Sequence, residues 1–424
     1  MKTVYLGFLG CGNIGGGVYH LLTAMRGEIA RRDGLDLVIR RALVKSIPEA
    51  RTDVPREILT EDAEDIFRDP EISIVCEFMG GERPAADFMR RALEAGKTVV
   101  TANKMALALR WDELQQAAEA SGAGLYFEAS VGGVIPIIRT LTVSLEADSV
   151  HQLMGIVNGT TNYILTRMAR EGSDYAAVLA DAQRLGLAEP NPEADVEGMD
   201  AAFKLSIMSS IAFHGRVTVD KVYREGITRV TGEDIAFGRE MGYTLKLLAI
   251  GKREGDTVEV RVHPTFLPAS HPLAQVDGSL NAIFLHGDYC QDMMLQGRGA
   301  GDKPTASAIC GDVLFAARGQ QPIHPSFRNT AAADSSFRFT DNWVTRAFLR
   351  LRADDQPGIL AGIASCFSAE NVSIATMLQK GAAEDGQARL VLITHPAPEQ
   401  SLRRAIARLD GNHCVCESFI RVEE

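Results

Sequence analysis

The chain has 424 residues, 46% apolar and 23% charged, and a formal net charge of −11. That length holds two or three domains with cores of their own, in the composition of a soluble globular protein. The negative charge argues against nucleic acid or an anionic membrane as main partner, and no run of about 18 apolar residues offers a membrane span.

The start, "MKTVYLGFL", lacks the h-region and cleavage site of a secretory signal, so a cytoplasmic protein is expected. Residues 4–9 read as a strand that runs into Gly10-Cys-Gly-Asn-Ile-Gly15, a G-x-G-x-x-G turn opening a helix over 15–30. Gly10, Gly12 and Gly15, with Asn13 and Ile14 between them, let bare backbone approach a pyrophosphate at the helix N-terminus. The second strand, 37–44, has no acid near its end; Arg40, Arg41, Lys45, Ser46 and Arg51 stand there instead. A carboxylate there would hold the ribose of NAD, whereas Lys45 and Ser46 suit a 2′-phosphate. NADP(H) is therefore expected, with NAD possible and a solvated basic loop as the bland alternative. Further strands at 72–78, 98–101 and 125–128, with helices at 84–95 and 111–120, complete a Rossmann-type parallel sheet over 1–149. Lys104, in "TANK", follows an apolar strand whose C-terminal end is where ligands bind in such sheets. A lysine in solvent at a helix start would look the same.

From 150 to 328 the texture changes to an α+β substrate and dimerisation domain, in an α/β protein overall. Helices are expected at 161–170, 175–185 and 200–213, a hairpin at 244–252 and 257–266, and a helix near 305–318. A segment at about 300–330 is expected to return to the nucleotide domain. In "DVEGMDAAFKLSIMSSIAF" Asp200 and Lys204 are spaced i, i+4 at the head of an otherwise apolar helix. A surface ion pair and a charged first turn facing a cleft both fit that spacing. Residues 329–345 read as a linker. The order strand 347–353, helix 358–369, strands 372–379 and 388–394, helix 399–409, strand 415–422 is βαββαβ, a ferredoxin-like unit. Its Cys414 and Cys416 are the only close pair among seven cysteines, which suits free thiols in a reducing compartment.

The motifs "GFLGCGNIGGGV", "VCEFMGG", "VVTANK", "FEASVGGVIPII", "GIVNGTTNYIL", "LGLAEPNPEADVEGMDAAFKLSI" and "GRGAGDKPTASAI" occur in this order along the chain. In them the chain resembles homoserine dehydrogenase over essentially its whole length. The resemblance implies NAD(P)-dependent interconversion of L-homoserine and L-aspartate 4-semialdehyde, a step toward threonine and methionine. It makes Lys204 the proton donor and acceptor, and Lys104 the lysine near nicotinamide and substrate. Glu189 and Asp200 become the carboxylates at the amino end of the substrate. Gly80 and Thr101 fall beside the nicotinamide, and Gly301, with Gly299, in a loop closing over the cofactor. The resemblance also implies a monovalent cation, sodium or potassium, held at Glu128, Val131, Gly133 and Ile135. Arg298, between the loop glycines, is where a smaller or uncharged residue is more usual.

The C-terminal "LRADDQPGILAGIASCFSAENVSI" looks like an ACT domain, with Gly358, Asn371 and Ile374 at the positions that bind an amino-acid effector, here implied to be L-threonine. Such modules pair edge to edge, so a homodimer or homotetramer is expected; with no kinase-sized stretch before the glycine turn, the monofunctional form is expected. Two other readings compete: another ACT-bearing NAD(P) dehydrogenase, and a catalytically silent amino-acid sensor. The nucleotide turn starting at residue 10 argues against the first, and Lys104, Glu189, Asp200 and Lys204 together against the second.

Overall fold

The computed structural model describes residues 1–50, 53–319, 332–380, 387–409 and 413–423. Six parallel strands form the first sheet: β1 (Lys2–Leu9), β2 (Leu35–Leu43), β3 (Leu59–Thr60), β4 (Ile72–Glu77), β5 (Thr98–Thr101) and β6 (Leu125–Tyr126). Their order is β3-β2-β1-β4-β5-β6. The chain reverses direction across the sheet between β1 and β4, which opens a crevice at the strand C-termini. Strands β1 and β4 are apolar almost throughout because helices cover both faces.

The expected elements here shift by a few residues at their ends. The helix after the glycine turn runs Asn13–Asp33. The helix expected at 111–120 is the second part of a longer one, Lys104–Ser121, bent at Arg110, whose φ of −130° is not helical. Strand β6 stops at Tyr126, and Glu128 instead begins a single 3-10 turn, Glu128–Ser130.

The second sheet begins with β7 (Val150–Ile156), a strand where only helices were expected. It continues through β8 (Tyr223–Arg224), the hairpin β9 (Tyr243–Glu254) and β10 (Thr257–Pro268), and a second, unexpected hairpin, β11 (Leu280–Gly287) and β12 (Gln291–Arg298). Helices Gly159–Glu171, Tyr175–Arg184 and Met199–Ala212 pack on it. The helix Asp302–Ala317 returns to the first sheet, where Ala306, Ile309 and Val313 share a core with Val18 and Leu22. Contact there is close: a Cβ on Gly17 would lie 3.5 Å from that of Ala306. The rest of the expected returning segment, 320–330, lies outside the described residues.

The stretch read as a linker is structured where it is described. Strand β13 (Arg338–Phe339) pairs with β10, and Phe337 and Phe339 pack on the second domain. Residues 329–331 fall outside the described set. Then follow β14 (Val344–Asp354), β15 (Ile374–Lys380), β16 (Gln387–Thr394), β17 (Ala397–Pro398) and β18 (Cys414–Val422). Helices Ile359–Ser368 and Glu399–Ala407 connect them, and the order β18-β14-β16-β15 is the ferredoxin-like arrangement. This unit extends the second sheet, because β18 runs parallel to β10 through the pairs Thr265↔Arg421 and Phe266↔Val422. All seven cysteines are free. Among the described residues no helix is long and apolar enough to cross a membrane.

Candidate active site

The glycine turn is built as a dinucleotide needs. Gly10 has φ of 97°, a left-handed conformation that favours glycine, and a Cβ on Gly12 would meet nothing within 4 Å. A Cβ on Gly15 would sit 3.0 Å from the Gly10 carbonyl, so the third glycine lets the helix approach the strand. Among the described residues no side chain caps the helix Asn13–Asp33, which leaves its first N–H groups for an anion. A cavity of about 890 Å³ lined by Gly12, Asn13, Gly16 and Lys303 adjoins the turn. This cradle fits a dinucleotide diphosphate. Lys45 is exposed just past β2. Its neighbour Arg40 is committed elsewhere, 2.5 Å from Asp69 and 2.6 Å from Glu71. Arg51 lies outside the described residues.

At the C-terminal edge of the same sheet, Glu77 ends β4 fully buried. Its Oε1 accepts from the N–H of Met79 at 2.6 Å and of Gly80 at 3.2 Å, and its Oε2 from Thr101 Oγ1 at 2.6 Å. Burial pushes this carboxyl up, and the Thr101 and backbone donors pull it back. Asn103 bonds the Gly81 carbonyl through Nδ2 and, through Oδ1, caps the helix that starts at Lys104. Glu77 therefore ties the Gly80 turn to Thr101 beside the start of the Lys104 helix.

The second domain brings Asp200 to that edge. Gly198, with φ of 76°, turns the chain into helix Met199–Ala212, and every residue from Asp200 to Ala212 is buried. The i, i+4 pair is thus no surface ion pair: Asp200 is 6% exposed and Lys204 7%. Lys204 Nζ lies 2.6 Å from Asp200 Oδ2 and 2.7 Å from the Val157 carbonyl, while Lys104 Nζ reaches Asp200 Oδ1 at 2.9 Å. Asn158 Nδ2 donates to Asp200 Oδ2 at 2.9 Å and to Asp195 Oδ1 at 2.7 Å. Burial alone would raise the Asp200 carboxyl, but the two ammoniums hold it well below the usual range. Burial lowers Lys204, opposed by Asp200 and reinforced by Lys104. Lys104, half-exposed, is raised by Asp200, with smaller help from Asp195 and Glu189. Glu189 is exposed on the loop beyond helix Tyr175–Arg184. The structure so gathers Lys104, Asp200 and Lys204, with Glu189 acting on Lys104 through its charge.

Gly132 and Gly133 form a turn with φ of 71° and 59°. A Cβ on Gly133 would stand 2.6 Å from the Arg298 carbonyl oxygen, so only glycine fits against the loop carrying Gly299 and Gly301. Val131 and Ile135 flank the turn, buried. The Glu128 side chain accepts from the N–H of Ile138 and of Arg139, each at 2.9 Å. Burial, then the nearby Asp312, pushes its carboxyl up to about 7. Among the described residues no cluster of three or more His, Cys, Asp or Glu offers a metal site. Any ion at this turn would rest chiefly on backbone carbonyls.

In the C-terminal unit Gly358 precedes helix Ile359–Ser368, whereas Asn371 and Ile374 follow its far end. A helix of that length separates them by about 15 Å. One chain alone does not bring these three residues together.

Glu77, Asn103, Asn158 and Asp195 belong to the site although sequence reading did not single them out. An acid closing the apolar run "ISIVCE" and an asparagine heading "NGTTN" were the available signals.

Family models described as "Homoserine dehydrogenase, NAD binding domain" and "Homoserine dehydrogenase" match residues 10–128 and 136–314. The homoserine dehydrogenase of Corynebacterium glutamicum is 44% identical, covering 100% of this chain and 96% of its own. That of Mycobacterium tuberculosis is 43% identical, covering 100% and 98%. A crystal structure of a homoserine dehydrogenase from Thiobacillus denitrificans superposes with a TM-score of 0.92 at 37% identity, covering 100% of this chain and 99% of that one. With its nucleotide turn, its paired lysines and relatives matched along the full length, the chain belongs to the homoserine dehydrogenase family of NAD(P)-dependent oxidoreductases.

Proposed function

We propose that the Lys204–Asp200–Lys104 cluster is where L-homoserine and L-aspartate 4-semialdehyde are interconverted. The observation that carries this reading is the buried Lys204 Nζ, held by Asp200 Oδ2 at 2.6 Å and the Val157 carbonyl at 2.7 Å. An ammonium has three N–H donors, so one remains for the substrate oxygen. In homoserine oxidation neutral Lys204 takes the hydroxyl proton, and in the reverse direction the ammonium returns it to the aldehyde oxygen. The nicotinamide dinucleotide, when bound, accepts or supplies the hydride. Lys104 adds positive charge beside the developing oxyanion, and Asp200 with Glu189 holds the substrate ammonium. Glu77 and Asn103 hold the Gly80 turn and the start of the Lys104 helix in place.

NADP(H) is the favoured dinucleotide, supported by Lys45 and Ser46 where NAD enzymes carry an acid. A monovalent cation, sodium or potassium, rests on the carbonyls of Glu128, Val131, Gly133 and Ile135, a reading supported by the two left-handed glycines of that turn. The C-terminal unit acts as an ACT domain that binds L-threonine with Gly358 of one chain and Asn371 and Ile374 of another. Supporting this, the three residues lie at opposite ends of one helix, and β15 is an edge strand of its sheet among the described residues. The assembly is then a homodimer or homotetramer in the cytoplasm.

Formation of NADPH from L-homoserine at alkaline pH tests the reaction, and a higher kcat/KM with NAD than with NADP would sink the cofactor preference. Titration with threonine tests the effector; unchanged rate and affinity would leave the C-terminal unit a pairing module.

A further inference from the structure

We propose that Asn281 supplies a side-chain oxygen ligand to the monovalent-cation site at the Gly132–Gly133 turn. The proposal rests on the cation reading given above and adds to it a residue outside that turn.

Asn281 is 1% exposed, and among the described residues neither its Oδ1 nor its Nδ2 has a hydrogen-bond partner. A buried amide with both ends idle is costly and calls for a partner. Its surroundings indicate which. Asn281 lies near the start of β11, directly across from Gly297 in β12 and one residue before the pair Ala282↔Ile156 that joins β11 to β7. A Cβ on Gly297 would come within 3.1 Å of Ile135 Cγ1, and one on Gly299 would overlap Asn281 Nδ2 at 1.8 Å. A Cβ on Gly133 would in turn lie 2.7 Å from the Gly299 carbonyl oxygen. Two positions along the same face of β11, Ile283 Cδ1 would stand 3.6 Å from a Cβ on Gly132. Gly299 thus lies against both the Asn281 amide and Gly133, and Gly297 against the Ile135 side chain, so the amide, the end of β12 and the Gly132–Ile135 turn form one contiguous block.

The chemistry agrees. Hard cations take oxygen ligands, and carbonyl dipoles replace the hydration shell of an alkali ion without adding charge. An amide oxygen is a donor of the same kind. The Glu128 carboxylate is already engaged with two backbone N–H groups, so it is not the side chain left over for the ion. Asn281 precedes Ala282, whose partner Ile156 precedes Val157, the residue whose carbonyl holds Lys204.

The test uses full-length protein without nucleotide, melted at constant ionic strength in choline chloride, sodium chloride or potassium chloride. Choline is too large for the turn and controls for screening. The parent Tm should rise saturably with sodium or potassium. Asn281→Leu should weaken the midpoint for that rise at least tenfold while melting no lower than the parent in choline, because the unpartnered amide is gone. Asn281→Asp, which keeps the oxygen and adds charge, should tighten it. If the parent responds and both variants keep its midpoint within twofold, the amide is not a ligand, though the cation reading stands. If the parent does not respond, the cation reading falls and this proposal with it. Should Asn281→Leu fail to fold, an Asn281→Asp midpoint equal to the parent's overturns the proposal alone.

Discussion

Asp200 Oδ2 lies 2.6 Å from Lys204 Nζ one helical turn further on, and the other oxygen of the same carboxylate holds Lys104 at 2.9 Å. One buried anion therefore serves two cations of different character. Lys204 is sunk in the helix and lowered by burial; Lys104 is half-exposed and raised by Asp200. The lowered group is suited to carry a proton, and the raised one to remain a fixed charge. Replacing Lys204 with Ala should lower kcat by about 10²- to 10⁴-fold, with a much smaller change in the KM for homoserine. Stopped-flow and steady-state rates decide it: near-normal kcat would remove Lys204 from the proton path.

The pH dependence of Asp200→Asn has a definite sign. Asp200 raises Lys204 against the effect of burial, so its loss lets the lysine stay neutral to lower pH. In the proposed mechanism homoserine oxidation needs the neutral form of Lys204, so the acidic limb of the kcat profile should move to lower pH. The KM for homoserine should rise roughly 10- to 100-fold, the value of one charge-assisted hydrogen bond to the substrate ammonium. An acidic limb left at the parent pH would show that Asp200 does not set Lys204.

Glu77 is a carboxylate with donors on both oxygens. Met79 and Gly80 N–H meet one, and Thr101 Oγ1 meets the other. Glu77→Gln keeps the shape but turns an NH2 group toward one set of those donors, leaving buried groups unsatisfied at a cost of about 1–3 kcal/mol. The Gly80 turn should loosen, and the KM for NADPH should rise about tenfold while the KM for homoserine changes less. Equal KM values for NADPH in variant and parent would make Glu77 a stability residue only.

How much of this was legible in the sequence follows from the range of the interactions. The first sheet could be read because its strands are short apolar runs closed by a glycine turn, signals that are local. Strand β7 escaped because His151 and Gln152 interrupt its apolar pattern near the start, and β12 because it is a largely polar edge strand. Spacing put Asp200 and Lys204 on one helix face and left open whether that face was wet. Its burial, and the arrival of Lys104 from another domain and of Asn158 from the end of β7, are consequences of topology. No local pattern contains them. The orphaned amide of Asn281 belongs to the same class.

The second domain and the C-terminal unit are clamped by a buried arginine. Arg421 in β18 is fully buried, 2.6 Å from Glu399 Oε1 and 2.9 Å from Glu225 Oε1, with its guanidinium 4.5 Å from the centre of the Phe419 ring. Glu225 begins the segment in which the Ile227 N–H bonds the Val196 carbonyl, just ahead of the helix that carries Asp200. Removing the cation by Arg421→Met leaves Glu399, itself 1% exposed, with Arg403 at 2.8 Å as its remaining partner among the described residues. Breaking a buried pair on one side costs about 3–5 kcal/mol, whereas removing both signs together costs far less. Arg421→Met should therefore lower the urea midpoint sharply and expose the 332–345 stretch to protease. The triple variant Arg421→Met, Glu399→Gln, Glu225→Gln should recover much of the loss. If the single variant loses less than about 1 kcal/mol, the order of a surface pair, the β10–β18 junction is held by its apolar contacts, Phe266 against Phe348 at 4.8 Å among them, and not by this clamp.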